Sequence, residues 1–370
     1  MAGEPKTRPG GPLAGVRIIE FASIGPGPFA AMLLADMGAE IIAIERPGPS
    51  HFPRGPVLSR SRSFILADLK DPARRDDILD LIESADALIE GFRPGVMERL
   101  GLGPEAALHR NPKLVYGRMT GWGQDGPLAP SAGHDINYIA VTGALSAIGG
   151  ANEPIAPLNL LGDFGGGALY LVAGLLAAII SARRTGEGQI VDCAICDGTA
   201  SLMAMYAEMS AMGLWREGRR SNLLDGGAPF YRTFECADGE HIAIGALEPQ
   251  FYRRLCELAG LDDPLYRERD DRTNWPALHE KMEAAFRAKT REEWRSILEG
   301  TDACFAPVLS MSEAALHPHM AARETFVEIE GVTQPAPAPR FSRTPAAIRT
   351  VENGPQSLAE AIAAWRPARD

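Results

Sequence analysis

The sequence is poor in cysteine for its length. Its 370 residues include five cysteines, an odd number without the regular spacing of a disulfide framework. This excludes a small disulfide-built scaffold and favours the reducing cytoplasm as the protein's location. Cys193 and Cys196 form a C-x-x-C motif, but a zinc site needs a second such pair, and the other three cysteines are isolated. We therefore expect structural thiols and no metal site.

The sequence also lacks an excess of positive charge. Its formal net charge is -11, which argues against a nucleic-acid-binding protein, because such a protein needs a basic face. The N-terminal residues lack the apolar core of a secretory signal peptide. The apolar run over 164–181 is near membrane-spanning length, but it is rich in glycine and alanine, and Asp163 stands at its start. We expect a buried core helix there, and neither a nucleic acid nor a membrane as partner.

What the sequence does contain is a regular alternation of apolar strands and helices, beginning in its N-terminal half. A hydrophobic content of 45% over 370 residues is enough for a large core and two domains. Alternating strands and helices predict a right-handed, doubly wound parallel α/β sheet. Ligands of such sheets bind beyond the carboxyl ends of the strands. The strand candidates lie at 16–21, 40–45, 64–69, 87–92, 114–118 and 189–195.

The first predicted turn between strand and helix is rich in glycine. Gly25, Gly27 and Ala30 match the dinucleotide-binding pattern G-x-G-x-x-A, and the acidic Glu45 follows after the next strand. Two prolines stiffen this turn, and Arg46 follows the acidic residue, so the match is weak. A nicotinamide-dependent dehydrogenase is thus a minor alternative for this fold.

Basic residues follow several of the predicted strands. Arg46, Lys70 and Arg93 each lie near a strand end, and the loop before the third strand adds Arg60 and Arg62. Positive charge at one edge of an acidic protein is what a phosphorylated ligand requires. The alternative is a set of solvated surface side chains.

The pattern changes after residue 222. Strand candidates at 231–235 and 241–245 flank Asp238-Gly239, a typical hairpin turn, and helical segments follow. This predicts a second, small α+β domain. The predicted boundaries are 1–190 and 325–370 for the large domain and 225–305 for the small domain, with linkers at 191–224 and 306–324.

Two segments contain residues suited to proton transfer. Asp163 precedes three consecutive glycines and a long apolar run, as a helix N-cap does. Each glycine weakens a helix by roughly 1 kcal/mol relative to alanine, so the three indicate that a ligand or another element approaches the backbone. Earlier in the chain, His134 lies between Gly133 and Asp135. Taken alone, Asp163 is explained as a helix cap and His134 as a loop histidine.

A series of collinear sequence blocks extends over nearly the whole chain. They read GVRIIEFASIGPGPFAAMLLADMGAEIIAIERPG, FILADLKDP, IEGFRPGVMERLGLGPE, GRMTGWGQDGP, GHDINYIAVTGAL, LLGDFGGGALYLVAGLLAA, RRTGEGQIVDCAICDG, IAIGALEPQF, TDACFAPVLSMSEA and PAPRFSRTP. In these blocks the chain resembles the alpha-methylacyl-CoA racemases, within the wider family III CoA-transferase superfamily. The block GHDINY distinguishes the racemase-like members from the transferases.

The resemblance implies an interlocked homodimer. Each chain is expected to combine a large doubly wound, Rossmann-like α/β domain, built from the N-terminal half and the C-terminal tail, with a small α+β domain carried away by linkers. The active site then lies between the large domain of one chain and the small domain of the other. No cofactor is expected beyond the coenzyme A that forms part of the thioester substrate.

The resemblance also implies the roles of individual residues. His134 and Asp163 match the two proton-transfer residues, and Glu248 matches a partner of His134 that reaches it from the other subunit. The segment Ser59-Arg60-Ser61-Arg62 departs from the N-R-x-K that is often found in relatives, although Arg62 can still contact a phosphate. The residues expected to contact the coenzyme A substrate are Arg46, Ala67, Asp68, Leu69, Lys70, Gly91, Phe92, Arg93, Arg99, Gly133, Asp135 and Tyr138.

This resemblance predicts an isomerase that inverts 2-methylacyl-CoA thioesters. Racemisation removes a proton from one face of the carbon next to the thioester carbonyl and delivers one to the other face, so it needs an acid and a base on opposite sides. His134 and Asp163 supply such a pair. The negative charge of the enolate moves to the thioester oxygen, and backbone N–H groups at the helix start near Asp163 are expected to stabilise it.

Two further classes of protein fit the same residues. In a family III CoA-transferase, the residue matching Asp163 attacks the thioester as a nucleophile, and no histidine is needed opposite it. A catalytically silent module that binds CoA or a nucleotide is the other alternative, although the presence of both His134 and Asp163 argues against it.

Overall fold

The computed structural model of the protein describes residues 10–48, 54–351 and 354–366. The chain divides into two compact units. The first unit combines Met1–Thr142, Pro157–Met203 and Arg323–Asp370, and the second combines Gly143–Ala156 and Ala204–Ala322. The domain boundaries given above remain predictions; they assign 143–156 to the large domain, whereas this segment belongs to the second compact unit.

The secondary structure alternates between strands and helices in the first unit and is mixed in the second. The strands are β1 (Arg17–Phe21), β2 (Glu40–Glu45), β3 (Ser63–Leu66), β4 (Ala87–Glu90), β5 (Val115–Thr120), β6 (Gln189–Ala194), β7 (Tyr231–Glu235), β8 (His241–Gly245), β9 (Phe305–Pro307), β10 (Phe326–Ile329) and β11 (Val332–Pro335). The α-helices are α1 (Pro26–Asp36), α2 (Pro72–Ile82), α3 (Val96–Arg99), α4 (Pro104–Arg110), α5 (Asp135–Ala140), α6 (Ala144–Ala147), α7 (Leu169–Thr185), α8 (Ile195–Leu202), α9 (Ala204–Ala211), α10 (Pro249–Ala259), α11 (Trp275–Phe286), α12 (Arg291–Leu298), α13 (Met311–Leu316), α14 (Pro318–Ala322) and α15 (Leu358–Trp365). A π-helix covers Leu160–Ala168, and 3-10 helices cover Pro264–Glu268 and Arg272–Asn274.

A parallel sheet in the order β3-β2-β1-β4-β5-β6 forms the centre of the first unit. Its strands are mostly apolar because both faces are covered. Ile19 of β1, for example, pairs with Ile42 of β2 on one side and with Leu88 of β4 on the other. This is the strand order of Rossmann-type folds, so the predicted doubly wound α/β class is confirmed. The order reverses between β1 and β4, which places the ligand crevice beyond the ends of these two strands.

Helices cover both faces of this sheet. On one face, Leu34 of α1 and Leu171 of α7 are buried in a core with residues of β1 and β5. On the other face, α2 and α4 form a second core with the C-terminal α15, which contributes Leu358 and Trp365. Helix α15 therefore packs into the same core as residues of β1 and β2.

The π-helix and α7 together form one continuous apolar helix, Leu160–Thr185, which by length and composition alone could cross a membrane. In the structure α7 buries the face that carries Leu171, Leu175 and Ile179. This face belongs to the core of the first unit, together with residues of β5 and β6. The packing supports the predicted core helix.

The glycines of the π-helix make room for neighbouring helices. A Cβ on Gly166 would lie 2.5 Å from the Oγ1 of Thr199 in α8, and a Cβ on Gly198 of α8 would lie 1.8 Å from the Gly166 carbonyl oxygen. A Cβ on Gly167 would lie 3.3 Å from Pro26 of α1. The sequence indicated that either a ligand or another element approaches these glycines. At Gly166 and Gly167 it is other helices that approach.

The second unit contains the antiparallel sheet β7-β8-β9. The β7–β8 hairpin forms where Asp238-Gly239 predicts it, with Phe234 paired to Ile242. Helices α10, α11 and α12 bury Leu255, Met282 and Trp294 in the core of this unit. The unit thus has the mixed α+β character that its sequence predicts.

Two arginines that the sequence suggested as phosphate contacts are buried in ion pairs. Arg60 donates two hydrogen bonds to Asp36, at 2.6 and 3.1 Å, and one to Gln334. Arg62 pairs with Glu20, and the side chains of both are almost completely inaccessible to solvent. The expectation that Arg62 contacts a phosphate is therefore wrong, because its guanidinium group is used inside the fold.

Removal of a buried arginine should destabilise the protein strongly. Arg62→Ala leaves the buried Glu20 carboxyl group without its partner, and we expect a loss of about 3–5 kcal/mol in the free energy of unfolding. The exposed pair between Arg74 and Asp77 provides the control, since Arg74→Ala should cost less than about 1 kcal/mol. Urea unfolding followed by circular dichroism measures both, and equal losses would contradict this account.

Candidate active site

Asp163, one of the two predicted catalytic residues of the first unit, lies at the crevice of the parallel sheet. Gly25 belongs to the loop that follows β1, and a Cβ placed on it would lie 2.8 Å from Asp163 Oδ2. Gly91 follows β4, and a Cβ on it would lie 3.0 Å from Ser23 in the loop after β1. The Asp163 carboxyl group therefore stands beside the strand-order reversal, where ligands of this fold class bind.

Asp163 lies within the first turn of the π-helix rather than at its N-cap, so the predicted capping role is wrong. The helix begins at Leu160, and the Phe164 N–H donates to the Asn159 carbonyl at 3.2 Å, five residues back. A π-helical turn is wider than an α-helical one and is frequent at functional sites. This wider turn presents Asp163 on the side of the helix that faces Gly25.

Burial raises the pKa of Asp163 above its ordinary value. The Asn159 side chain donates a hydrogen bond to Asp163 Oδ2 at 3.2 Å, which opposes the rise by stabilising the charged form. The Asp135 carboxylate raises the pKa further, and the His134 imidazole lowers it. The His134 imidazole is therefore near enough to the Asp163 carboxyl group to affect the pKa of that group.

Asp135 is a buried carboxylate at the first position of α5, and it holds the π-helix in place. Its Oδ2 accepts the Asp163 N–H at 2.6 Å, and the carboxylate also accepts the Gly162 N–H. Burial raises the pKa of Asp135, and these two N–H groups oppose that rise. The N–H groups of Gly162 and Asp163 are thus occupied, while the expectation that N–H groups near this helix start stabilise the thioester oxygen stays a prediction.

His134 immediately precedes α5 and is exposed to solvent. Its backbone N–H donates to Asn137 Oδ1 at 3.0 Å, which fixes the start of the helix. Asp135 follows His134 directly, and its side chain accepts the backbone N–H of Asp163. The two predicted proton-transfer residues are therefore connected through Asp135. The sequence placed His134 in a loop, whereas the structure places it at a helix start.

Tyr138 lies near both Asp163 and Arg93, the basic residue that follows β4 at the edge of the sheet. Its hydroxyl group donates to the Gly133 carbonyl, and its ring contacts Trp122 edge-on at 4.7 Å. Burial and the nearby Asp163 carboxylate raise the pKa of Tyr138, while Arg93 lowers it. Gly133, Tyr138, Asp163 and Arg93 consequently belong to one neighbourhood.

The segments predicted to contact coenzyme A lie along the carboxyl edge of the sheet. Arg46 follows β2, Lys70 lies in the turn after β3, and Arg93 lies in the loop after β4. All three side chains are exposed, in contrast to Arg60 and Arg62. The other predicted contacts are placed at the same edge: Ala67, Asp68 and Leu69 beside Lys70, Gly91 and Phe92 beside Arg93, and Arg99 in α3.

Glu90, at the end of β4, was not singled out from the sequence. Its Oε2 accepts the Phe92 N–H at 2.8 Å, and its Oε1 accepts a bond from Arg118 Nε at 3.0 Å. Burial raises its pKa to about 7, against the lowering effect of the Phe92 N–H and Arg118. Glu90 thus shapes the loop that carries Arg93. A lone acidic residue that ends an otherwise apolar strand is the signal that could have identified it.

Glu248 lies in the second unit, at the end of the loop between β8 and α10. It occupies the N-cap position of α10, with Pro249 after it, and its side chain is exposed. Burial raises the pKa of the Cys304 thiol, and the charge of Glu248 adds to this effect, so the two residues are neighbours. Its predicted partnership with His134 stays a prediction.

The cysteines have no reactive environment in the part of the chain that the structure describes. All five are free, and burial raises the pKa of Cys193 to about 12. Cys193 donates to the Gly167 carbonyl, as a structural thiol does. Among the described residues, there is no group of three or more His, Cys, Asp or Glu side chains that could hold a metal ion.

The fold and the site define an α/β protein with acid–base residues at the ligand crevice of a Rossmann-type sheet. The model of "CoA-transferase family III" matches residues 13–356, and the chain belongs to this family. It is 45% identical over 336 residues to the alpha-methylacyl-CoA racemase of Mus musculus, covering 90% of this chain and 87% of that one. The Homo sapiens racemase is 43% identical with the same coverage.

A solved structure agrees with the fold. The crystal structure of a CAIB/BAIF family protein from Brucella suis superposes with a TM-score of 0.79 at 25% identity, covering 96% of this chain and 98% of that one. This likeness extends over residues of both compact units.

The hydrogen bond from Asn159 offers a direct test of the Asp163 environment. Because this bond stabilises the carboxylate, Asn159→Ala should move the pKa of Asp163 still further above its ordinary value. A titration of the Asp163 carboxyl carbon by NMR measures the shift. Asn274→Ala, which changes an asparagine of the second unit, serves as the control and should leave this titration unchanged. A lower Asp163 pKa in Asn159→Ala would contradict the assignment.

Proposed function

We propose that the protein racemises 2-methylacyl-CoA thioesters by removing and returning the proton at the alpha carbon. The observation that carries this proposal is the position of the Asp163 carboxyl group, which is half-buried beside the strand-order reversal, has a raised pKa and lies near enough to His134 for the imidazole to affect that pKa. A carboxyl group and an imidazole that exchange roles as acid and base are what proton transfer across one carbon requires. The two mammalian relatives described above carry this activity in their names.

The raised pKa of Asp163 suits a group that must both accept and donate a proton. A carboxyl group of ordinary pKa is almost always ionised at neutral pH, whereas burial increases the share of the neutral form. The Asp135 side chain accepts the backbone N–H of Asp163 and so fixes that peptide group. The Asp163 carboxyl group therefore starts from a fixed backbone. His134, exposed at the start of α5, is the second proton-transfer group.

The coenzyme A part of the substrate is assigned to the carboxyl edge of the parallel sheet. The exposed guanidinium and ammonium groups of Arg46, Lys70 and Arg93 supply positive charge for its phosphates, although the whole protein carries a net charge of -11. Glu90 and Arg118 support the loop between β4 and α3, so that Arg93 is presented from a fixed backbone.

We assign the active form as a homodimer in which Glu248 of one subunit acts as the partner of His134 in the other subunit. In support, α9 buries none of its residues, and Met205, Met212 and Leu214 on and just after it are between 47 and 65% exposed. Exposed apolar surface of this kind marks sites of protein association.

The free cysteines support a reducing compartment such as the cytoplasm.

A CoA-transferase that uses Asp163 as a nucleophile is the second candidate, because the family is named for that reaction. The two functions are separated by incubation of the protein with a 2-methylacyl-CoA in heavy water without an acceptor acid. Racemisation replaces the alpha proton by deuterium under these conditions. Transfer of CoA to an added free acid, with no deuterium incorporation, would refute the racemase proposal.

Substitution of the proton-transfer residues should abolish exchange without loss of substrate binding. His134→Ala and Asp163→Asn should each lower the rate of deuterium incorporation by at least about a hundredfold, because each removes one of the two groups. The affinity for CoA, measured by calorimetry, should stay within about twofold. The matched surface variants His109→Ala and Asp76→Asn should behave as the wild type. An undiminished rate in either active-site variant removes that residue from the mechanism.

Gly25→Ala should impair the Asp163 carboxyl group by direct contact. The added Cβ would lie 2.8 Å from Asp163 Oδ2, so the carboxyl group must move, and the exchange rate should fall at least about tenfold. Gly15→Ala is the matched control: Gly15 has a similar positive φ of 81°, but a Cβ there meets nothing within 4 Å. That variant should lose stability only. If Gly25→Ala exchanges protons as fast as Gly15→Ala does, the carboxyl group does not need its present position.

A further inference from the structure

Arg269 is a buried cation in the second unit. It is 7% exposed, although burial of a guanidinium group is costly unless the group is well paired. Its ion-pair partner, Asp270, lies at 3.5 Å with a side chain that is 91% exposed, so this pair compensates little of the cost. The reason for its burial therefore lies in its other contacts.

Those contacts are with the loop that ends at Glu248. Arg269 Nη1 donates to the Ala246 carbonyl at 2.9 Å, and Nη2 donates to the Leu247 carbonyl at 2.7 Å. The guanidinium carbon also lies 4.5 Å from the ring centres of both Phe230 and Tyr252. The planar fork of an arginine matches two acceptors in this way, whereas a lysine offers one point charge.

The Leu247 carbonyl belongs to the same rigid peptide plane as the Glu248 N–H. A bond from Arg269 to this carbonyl therefore orients the backbone that enters Glu248. On the other side, the Glu248 carbonyl accepts the Tyr252 N–H of α10 at 3.0 Å. The Glu248 backbone is thus held from both directions, although its side chain is exposed.

We propose that Arg269 is a positioning residue for Glu248, holding the two peptide groups before it so that the carboxylate is presented in a fixed direction. This rests on the proposed function, in which Glu248 is the partner of the catalytic His134. Arg269 is itself anchored, since the Trp275 Nε1–H donates to its carbonyl at 2.8 Å. The Arg269 side chain thus connects the segment just after the 3-10 helix Pro264–Glu268 to the loop that ends at Glu248.

A double-mutant cycle on the full-length protein tests the proposal. Arg269→Gln should lower kcat for deuterium exchange about tenfold, with KM for the acyl-CoA within about twofold, because Glu248 loses its direction but the substrate site is untouched. Glu248→Gln should also lower kcat. The double variant should be no slower than Glu248→Gln alone, since Arg269 acts only through Glu248. Losses that multiply in the double variant would overturn the proposal.

Further variants separate positioning from general stability. Arg269→Lys keeps the charge but has its donors on a single nitrogen, so it should recover part of the lost kcat. Arg291→Gln is the matched control, because Arg291 is a bridging arginine of the same unit that bonds Glu240, Glu313 and the Val308 carbonyl. It should lower the melting temperature without a change in kcat. A loss of kcat in Arg291→Gln equal to that in Arg269→Gln would mean that Arg269 is merely structural.

Hydrogen–deuterium exchange of the backbone supplies a measurement that does not depend on activity. In Arg269→Gln, peptides that contain Ala246–Glu248 should exchange faster, while the β7–β8 hairpin turn should be unchanged. Equal exchange in wild type and variant overturns the positioning role, whatever the enzyme does. An absence of alpha-proton exchange in the wild type, together with faster backbone exchange in the variant, would instead refute the proposed function and leave Arg269 as the support of this loop.

Discussion

One buried carboxylate determines where the two candidate proton-transfer residues stand. Asp135 directly follows His134 in the chain, and its side chain accepts the N–H of Asp163. The same residue therefore starts the helix behind the histidine and fixes the helix that carries the aspartate. Because a charge-assisted hydrogen bond in a buried place is strong and directional, the backbone of Asp163 is held in a fixed relation to the start of α5, where His134 stands.

Close backbone approach is the second requirement of the site. The π-helix can lie against α8 only because Gly166 and Gly198 have no side chains, and Asp163 can lie against the loop after β1 only because Gly25 has none. Each glycine lowers the intrinsic stability of its segment, roughly 1 kcal/mol in a helix. The apolar contacts of the surrounding helices offset this cost, so the half-buried carboxyl group is held at the crevice, beside the point of strand-order reversal.

Much of the architecture was predictable from patterns that act locally. Apolar runs separated by helical segments predict the parallel sheet, and the boundaries of β2, β7 and β8 are as expected. The roles of Arg60 and Arg62 were not predictable, because nothing local distinguishes an arginine that pairs with a buried Asp36 or Glu20 from one that binds a phosphate. The π-helix was missed for a similar reason: its wide turn depends on the packing of glycines against α8. Glu90 bonds Arg118, which only the folded chain brings near, and the bond from Asn159 to Asp163 depends on the helical turn between them.

The placement of α15 has a consequence for how the protein is made. Leu358 and Trp365 complete the core around α2 and β4, the Trp365 carbonyl accepts a bond from Arg17, and Arg349 bonds the carbonyls of Ala35 and Ala39. The first strands to leave the ribosome must therefore wait for α15, whose Trp365 lies 348 residues after Arg17, before one layer of their sheet is closed. Until α15 has been synthesised, that layer exposes apolar surface, which is prone to aggregation.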